Sequence, residues 1–468
     1  MAKPDRETFQ SRSNALLTTL RQRILGGTYK PGEFIPSETA LADQFQLSKN
    51  SVRAILSALV EEGLLVKLPR VGNQVIGRGA QTTIRFGMYP SLYKEARMGE
   101  LIERFHQAFP HIRVEPLTLP YYHPETVKRL LQLGVVDAIT LNYTDYLYFR
   151  DAGDSALMEP FPAQPDVYPH LNELFSNGAG GLLVRPFVFS PVVLCYNKEH
   201  FREKRVLEPD SGWTWDRLRD ALVRLAEPGR CGLFFHLSSN NRWPIFLLQH
   251  GVRFSRGADG RLDAPGGRAK AALRRLRDLI DEKGLFPVVM SFGLHDVEQL
   301  FKQRKVSAIL TTYYRLNELA DADFPFDIAQ LPKADNAATL LLSTGIAVGA
   351  AAPNKEAASC FADFLLSEES QAFVRRTTFT LPANKWVAET VPTEAPNKPQ
   401  RLELHREMIP QYETHDALGL SVREVQLFGS CLEQYFSKLV DEDELIRLFN
   451  EQLQASPGGP PAFPVLPV

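Results

Sequence analysis

Cysteine is scarce in this chain, with four residues among 468, at positions 195, 231, 360 and 431. They lie far apart with no CxxC pair, so neither a disulfide framework nor a thiolate metal site is expected, and buried free thiols are. Long apolar runs are missing too. The stretch 186–196 is far shorter than the roughly 20 residues a membrane-spanning helix needs, so no membrane partner is expected. The first 22 residues lack an apolar core behind a basic start and carry Lys3, Asp5, Arg6, Glu7, Arg12 and Arg21, which points away from a secretion signal and toward the cytoplasm. Catalytic signatures are absent as well. There is no G-x-S-x-G elbow, no HExxH pair and no Walker loop. The carboxylate pairs Asp281-Glu282 and Glu368-Glu369 read as exposed helix charge. No enzyme activity, cofactor or metal is expected. The chain contains no internal repeat.

A hydrophobic share of 44% with 23% charged residues describes a globular protein and excludes a mostly disordered one. The length suggests two or three folded units. Charge is unevenly spread: residues 1–78 hold 11 basic and 7 acidic side chains, a surplus of +4, which leaves −6 for the remainder. A basic head on an acidic body suggests that the head meets a polyanion. Residues 77–83 are small and polar and read as a connection, and the last residues, from 456 on, are rich in Pro and Gly.

Leu16, Leu20 and Ile24 recur at helical spacing ahead of Gly26-Gly27. Ser37 and Ser48 are expected N-caps of two short helices, the second with Val52, Ile55, Leu56, Leu59 and Val60 inward and Gly63 as its stop. Residues 64–68 and 74–76 read as a hairpin with its turn at 69–72. Two short helices followed by a hairpin predict a winged helix-turn-helix. Ser48, Lys49, Asn50 and Ser51 crowd the start of the second helix, and Lys49, Asn50 and Arg53 lie off its apolar stripe. Amides and cations there suit phosphates, and Asn suits adenine edges.

Residues 16–76 resemble the DNA-binding domain of the GntR family of bacterial regulators. The resemblance rests on Gly27-Thr28-Tyr29-Lys30-Pro31-Gly32, Pro36-Ser37-Glu38-Thr39-Ala40-Leu41-Ala42, Ser48-Lys49-Asn50-Ser51-Val52-Arg53 and Glu62-Gly63-Leu64-Leu65. It implies a homodimer on double-stranded operator DNA. The contacts it implies come from Ser37, Thr39, Ser48, Lys49, Asn50, Ser51, Arg53, Arg70 and Gly72, with the wing turn in the minor groove. Thr39 and Lys49 stand where Arg is more usual, and Asn73 where Thr is common, so the operator sequence does not carry over.

The body alternates strands and amphipathic helices: strand 84–88, helix 99–109, strand 112–116, helix 126–133 and strand 135–141. This run predicts a parallel sheet, and ligands bind such sheets at the strands' carboxyl ends, here Asn142, Tyr143 and Asp145. The body also resembles the extracellular, carbohydrate-type solute-binding proteins of ABC transporters. Its motifs are Ala108-Phe109-Pro110-His111-Ile112-Arg113-Val114, Val136-Asp137-Ala138-Ile139, Leu194-Cys195-Tyr196-Asn197-Lys198-Glu199-His200-Phe201 and Trp213-Thr214-Trp215-Asp216-Arg217-Leu218. Two more are Phe301-Lys302-Gln303-Arg304-Lys305-Val306-Ser307-Ala308-Ile309 and Ser367-Glu368-Glu369-Ser370-Gln371. The resemblance implies two lobes closing on a small solute, with rings stacking on sugar faces. The ligand-binding candidates are Asn142, Tyr143, Asp145, Phe189, Trp243, Tyr313, Tyr314, Arg315 and Thr344.

The expected fold class is α/β: a winged helix-turn-helix at 13–78, a linker at 79–83, a two-lobed, type 2 periplasmic-binding-protein-like domain at 84–453, and a tail at 454–468. The expected function is a ligand-responsive DNA-binding regulator sensing a small-molecule effector, a sugar or oligosaccharide. The alternatives are a transporter-type binding protein and a GntR-type regulator with an aminotransferase-like body.

Overall fold

The computed structural model describes residues 6–25, 28–68, 71–76, 82–119, 123–178, 180–257, 262–263, 266–287 and 296–455. Most of the expected linker and nearly all of the tail, together with Arg70, lie outside the described residues.

The head contains α1 (Arg6–Leu25), α2 (Glu38–Phe45) and α3 (Lys49–Glu61), followed by β1 (Leu65–Leu68) and β2 (Gly72–Val75). Leu16, Leu20 and Ile24 of α1 pack with Leu41, Val52, Leu56, Leu59, Leu65 and Val75 in one small core. The two serines cap as their positions suggest. Ser37 Oγ accepts from Ala40 N at 3.2 Å and Ser48 Oγ from Ser51 N at 3.1 Å. Each such cap is worth about 1 kcal/mol against an alanine. β1 and β2 pair antiparallel from Leu65↔Val75 to Leu68↔Gly72, forming the wing. The segment ahead of α2 bridges to its outer edge at Phe34↔Gln74. Ile35 N donates to Asn73 O at 3.0 Å and Val75 N to Glu33 O at 2.8 Å.

In the body, β3 (Thr82–Met88) lies between β4 (Ile112–Thr118) and β5 (Ala138–Asn142), parallel to both. The strand starts at Thr82, inside the stretch expected as linker. Two apolar layers cover this sheet. Ile84, Phe86 and Met88 meet Phe105 and Phe361 on one face, and Ile139 and Leu141 meet Tyr146 and Phe175 on the other. That is the first lobe. Next to β5, and antiparallel to it, runs the Thr339–Val348 strand, and beside that the Arg185–Asn197 strand.

The Arg185–Asn197 strand has 13 residues, enough to reach roughly 40 Å at about 3.3 Å per residue. Its first part pairs with Thr339–Val348. Its last part pairs with Val306–Thr312 and Phe326–Ala329, which belong to the second lobe together with Cys231–Phe234. Two continuous strands therefore carry the chain between lobes. They come close because Gly345, at a register shift in the ladder, has no Cβ; one added there would sit 2.6 Å from Arg185 O. The second lobe holds the largest core and takes in the C-terminal helices Val422–Phe436 and Glu442–Ala455. Phe428 and Phe449 meet edge to face at 5.0 Å.

Candidate functional site

Two places gather the residues that sequence pattern singles out. The first is the entry of α2 and α3. Ser48 and Ser51 hydroxyls lie 2.7 Å apart and close the first turn of α3. Thr39, Lys49, Asn50 and Arg53 are exposed around them. Arg53 Nε donates to Glu38 Oε2 at 2.6 Å, so an ion pair ties α3 to the start of α2. Glu38, which directly follows the Ser37 cap, carries no sequence mark of this pairing. Gly72 opens β2 with φ +146°, a backbone that favours glycine.

The second place lies where the lobes meet. Asn142 ends β5 and caps the Tyr143–Asp151 helix: its Oδ1 accepts from Asp145 N at 2.8 Å. Its Nδ2 donates to Asp145 Oδ2 at 2.9 Å and to Tyr89 Oη at 3.2 Å, and the Tyr89 hydroxyl donates to the same carboxylate oxygen. Burial raises the Asp145 pKa to about 6, against the Tyr89 and Asn142 bonds that lower it. Thr344 faces Asn142 across the sheet. The Tyr314 hydroxyl donates to Val188 O at 2.9 Å, on the crossing strand, and desolvation holds it protonated well beyond the usual range. Arg315 Nη2 pairs with buried Glu298 at 2.9 Å, and Glu298 also accepts from Thr311 Oγ1 at 2.8 Å. Across the lobes, Lys94 Nζ meets Glu318 Oε2 at 2.5 Å. Beside them Glu95 has its pKa pushed up to about 7 by burial, with Arg315 opposing.

A C-terminal turn also bridges the lobes. Asp416 Oδ2 accepts from the Tyr143 hydroxyl at 3.1 Å and lies 3.6 Å from Arg150 Nη1, both of the first lobe. Next to it, His415 Nε2 lies 3.1 Å from Asn240 O and 3.0 Å from Asn241 Oδ1, of the second lobe. Burial lowers the His415 pKa to about 4, so the ring is neutral near pH 7. Facing two oxygens, Nε2 carries the proton.

Asn142, Tyr143, Asp145, Tyr314, Arg315 and Thr344 thus reach this interlobe region. Phe189, Trp243 and Tyr313 do not present a ring face to it: each is 0–1% exposed. Trp243 packs on Phe428 with its Nε1 donating to Asn240 Oδ1 at 3.0 Å. Phe189 packs edge-on to Tyr168, and the Tyr313 hydroxyl donates to Leu402 O at 2.9 Å. Aromatic residues at strand ends are as suited to closing a core as to holding a sugar, and here the core takes them. Tyr89, Asn240, Asn241, His415 and Asp416 join the same hydrogen-bonded region, although sequence pattern does not single them out. Tyr89 directly follows β3, so the strand-end rule applied to Asn142 also finds it. Asp416 has no local signal at all.

Two surface concavities lie elsewhere. One of about 870 Å³ is lined by Phe109, Phe161, Cys360 and Phe364, and one of about 450 Å³ by Glu203, Arg230 and Lys305. Neither shares a lining residue with the interlobe region. Among the described residues no cluster of His, Cys, Asp and Glu is arranged to hold a metal, and no helix is long and apolar enough to cross a membrane.

Comparison with known proteins assigns both parts. The family described as "Bacterial regulatory proteins, gntR family" matches residues 13–75, and "Bacterial extracellular solute-binding protein" matches residues 100–401. Over 107 residues the chain is 31% identical to the uncharacterized HTH-type transcriptional regulator YieP of Escherichia coli, covering 23% of this chain and 44% of YieP. The chain spans about half the length of the curated relatives it matches. Among solved structures, an ABC substrate-binding protein of Listeria monocytogenes in complex with cycloalternan aligns with a TM-score of 0.67 at 19% identity, covering 80% of this chain and 98% of that one. Maltose-bound MalE3 of T. maritima gives 0.67 at 16%, with 80% and 99% covered. At such identities the likeness establishes the fold alone. The solute-binding match spans well over half the sequence, and the chain accordingly belongs to the bacterial extracellular solute-binding protein family, with a gntR-family regulatory domain as its head.

Proposed function

We propose that the chain is a transcription regulator that binds operator DNA through its head and senses a small carbohydrate between its lobes. The observation that carries this reading is the union, in one chain, of a gntR-family domain and a solute-binding body. Operator contacts would come from Ser37, Thr39, Ser48, Lys49, Asn50, Ser51, Arg53 and Gly72. Polar contacts to sugar hydroxyls would come from Asn142, Tyr143, Asp145, Tyr314, Arg315 and Thr344, with Tyr89, Asn240 and Asn241 beside them. The sugar class is supported by neighbours whose structures hold cycloalternan and maltose. The protein acts as a homodimer in the cytoplasm, where operators are, and a ligand changes DNA affinity by favouring one lobe arrangement over another.

An exported binding protein gives the head no task. An aminotransferase-like body does not agree with the fold of residues 82–455. Both families found are binding families, in keeping with a chain that carries out no catalysis. The test has two stages. A thermal-shift screen against mono-, di- and oligosaccharides should find one that adds stability, about 2.7 kcal/mol at 100 times its Kd. Footprinting with and without that sugar should then show altered operator affinity. Equal affinity at saturating sugar refutes the switch.

A further inference from the structure

Among the described residues, two large apolar side chains of the head are strongly exposed, Phe34 at 47% and Val71 at 67%. Both belong to the wing. The backbone at Phe34 bridges to Gln74 of β2, on the outer edge of the wing sheet. Its ring leans over Gly72: a Cβ built on that glycine would lie 3.4 Å from Phe34 Cδ1. Val71 precedes Gly72 at the wing turn. Phe34 also stands three positions before Ser37, the cap of α2. The ring thus lies against the wing turn, on a segment that leads directly into α2, and both elements are placed on DNA by the operator-binding reading.

We infer that the wing meets the operator's minor groove with apolar side chains, Phe34 and Val71, and so selects A·T pairs beneath it. The inference rests on the operator-binding reading and adds the kind of contact. An isolated exposed ring needs no explanation. Two exposed apolar groups flanking Gly72, one in space and one in sequence, in a domain with surplus positive charge do, because neither can hold a phosphate. Proteins that bind the minor groove frequently insert apolar side chains there beside their polar contacts. In that groove a G·C pair presents the guanine N2 amino donor, and an A·T pair presents none. A phenyl ring over that donor strips its water and returns no acceptor. Discrimination therefore falls on one exocyclic amine.

The experiment uses the full chain. Duplexes are selected from a randomised pool, and the Kd of the best is followed against salt for wild type, Phe34→Ala, Val71→Ser and Lys49→Ala. Thermal unfolding confirms that each variant is folded, and Val71→Ser, at an exposed position, guards against loss of the wing in Phe34→Ala. Phe34→Ala and Val71→Ser are expected to weaken binding about tenfold or less with an unchanged salt slope, whereas Lys49→Ala lowers the slope by about one. Replacing A·T by G·C under the wing should weaken wild type. Inosine·C, which lacks the amine, should restore it, and Phe34→Ala should not distinguish the three. Wild-type affinity in both wing variants overturns the inference, as does inosine behaving like guanine. So does a change in oligomeric state with DNA contacts intact, which would make the pair a subunit contact. If wild type selects no duplex, the operator reading itself falls, and that failure is seen before any variant is made.

Discussion

The Tyr143 hydroxyl donates to Asp416 Oδ2 at 3.1 Å, across 273 positions of sequence. Burial, then the Asp416 charge, raises the Tyr143 pKa, so it remains the donor throughout the ordinary pH range. Tyr143 belongs to the first lobe, and the turn that carries Asp416 is fastened to the second through His415. In a double-mutant cycle of Tyr143→Phe and Asp416→Asn, urea unfolding should give a coupling of about 1 kcal/mol. Additive losses would show that the bond contributes nothing between lobes.

Glu95 gives a pH signature. Its carboxyl is raised from an ordinary 4.5 to about 7, chiefly by burial. The stabilisation from holding that proton is complete below about pH 4.5 and is lost as pH rises through 7. Glu95→Gln keeps the group neutral. Its stability should match wild type at pH 4.5 and exceed it by on the order of 2 kcal/mol at pH 8. His415 runs the other way, its contribution fading as pH falls from 6.5 toward 4, but it is common to both proteins and cancels in the difference. A gap that does not vary with pH would remove burial as the cause.

Arg53 is paired with Glu38, and the operator-binding reading asks it to turn to a phosphate instead. The pair is exposed and worth about 0.2–1 kcal/mol, so DNA can open it cheaply. Arg53→Ala should weaken operator binding, and Glu38→Gln should tighten it by up to about fivefold by releasing Arg53. Fluorescence anisotropy at fixed salt reads both. Weaker binding in Glu38→Gln would mean that the pair positions Arg53 instead of restraining it.

Trp243 is 1% exposed between Asn240 and Phe428. Trp243→Ala should cost about 3–5 kcal/mol in urea unfolding, in the range for large buried rings. A loss under 1 kcal/mol, together with lost sugar binding, would return this ring to the ligand.

Local chemistry made much of the fold legible. Ser37 and Ser48 mark helix starts because a hydroxyl satisfies an amide that has no other partner. The parallel order of β3, β4 and β5 follows from strands alternating with amphipathic helices. The site is read less well, for a physical reason. Asn142 and Asp145 stand out because a polar pair just past an apolar strand marks the strand's end and the cap of the next helix. Phe189 and Tyr313 mislead because a ring carries no mark of which surface it will cover. Asp416 is silent, since its partners arrive only when the C-terminal turn folds back over both lobes.

The head is joined in sequence to β3 of the first lobe, and the Glu442–Ala455 helix packs on the second. The two ends of the described chain therefore ride on opposite jaws of a caliper. A dye at exposed Thr39 and another at exposed Ala455 would convert rotation of the lobes into a change of energy transfer. Neither dye would touch the cleft, so any solute that moves the jaws would announce itself without being known beforehand.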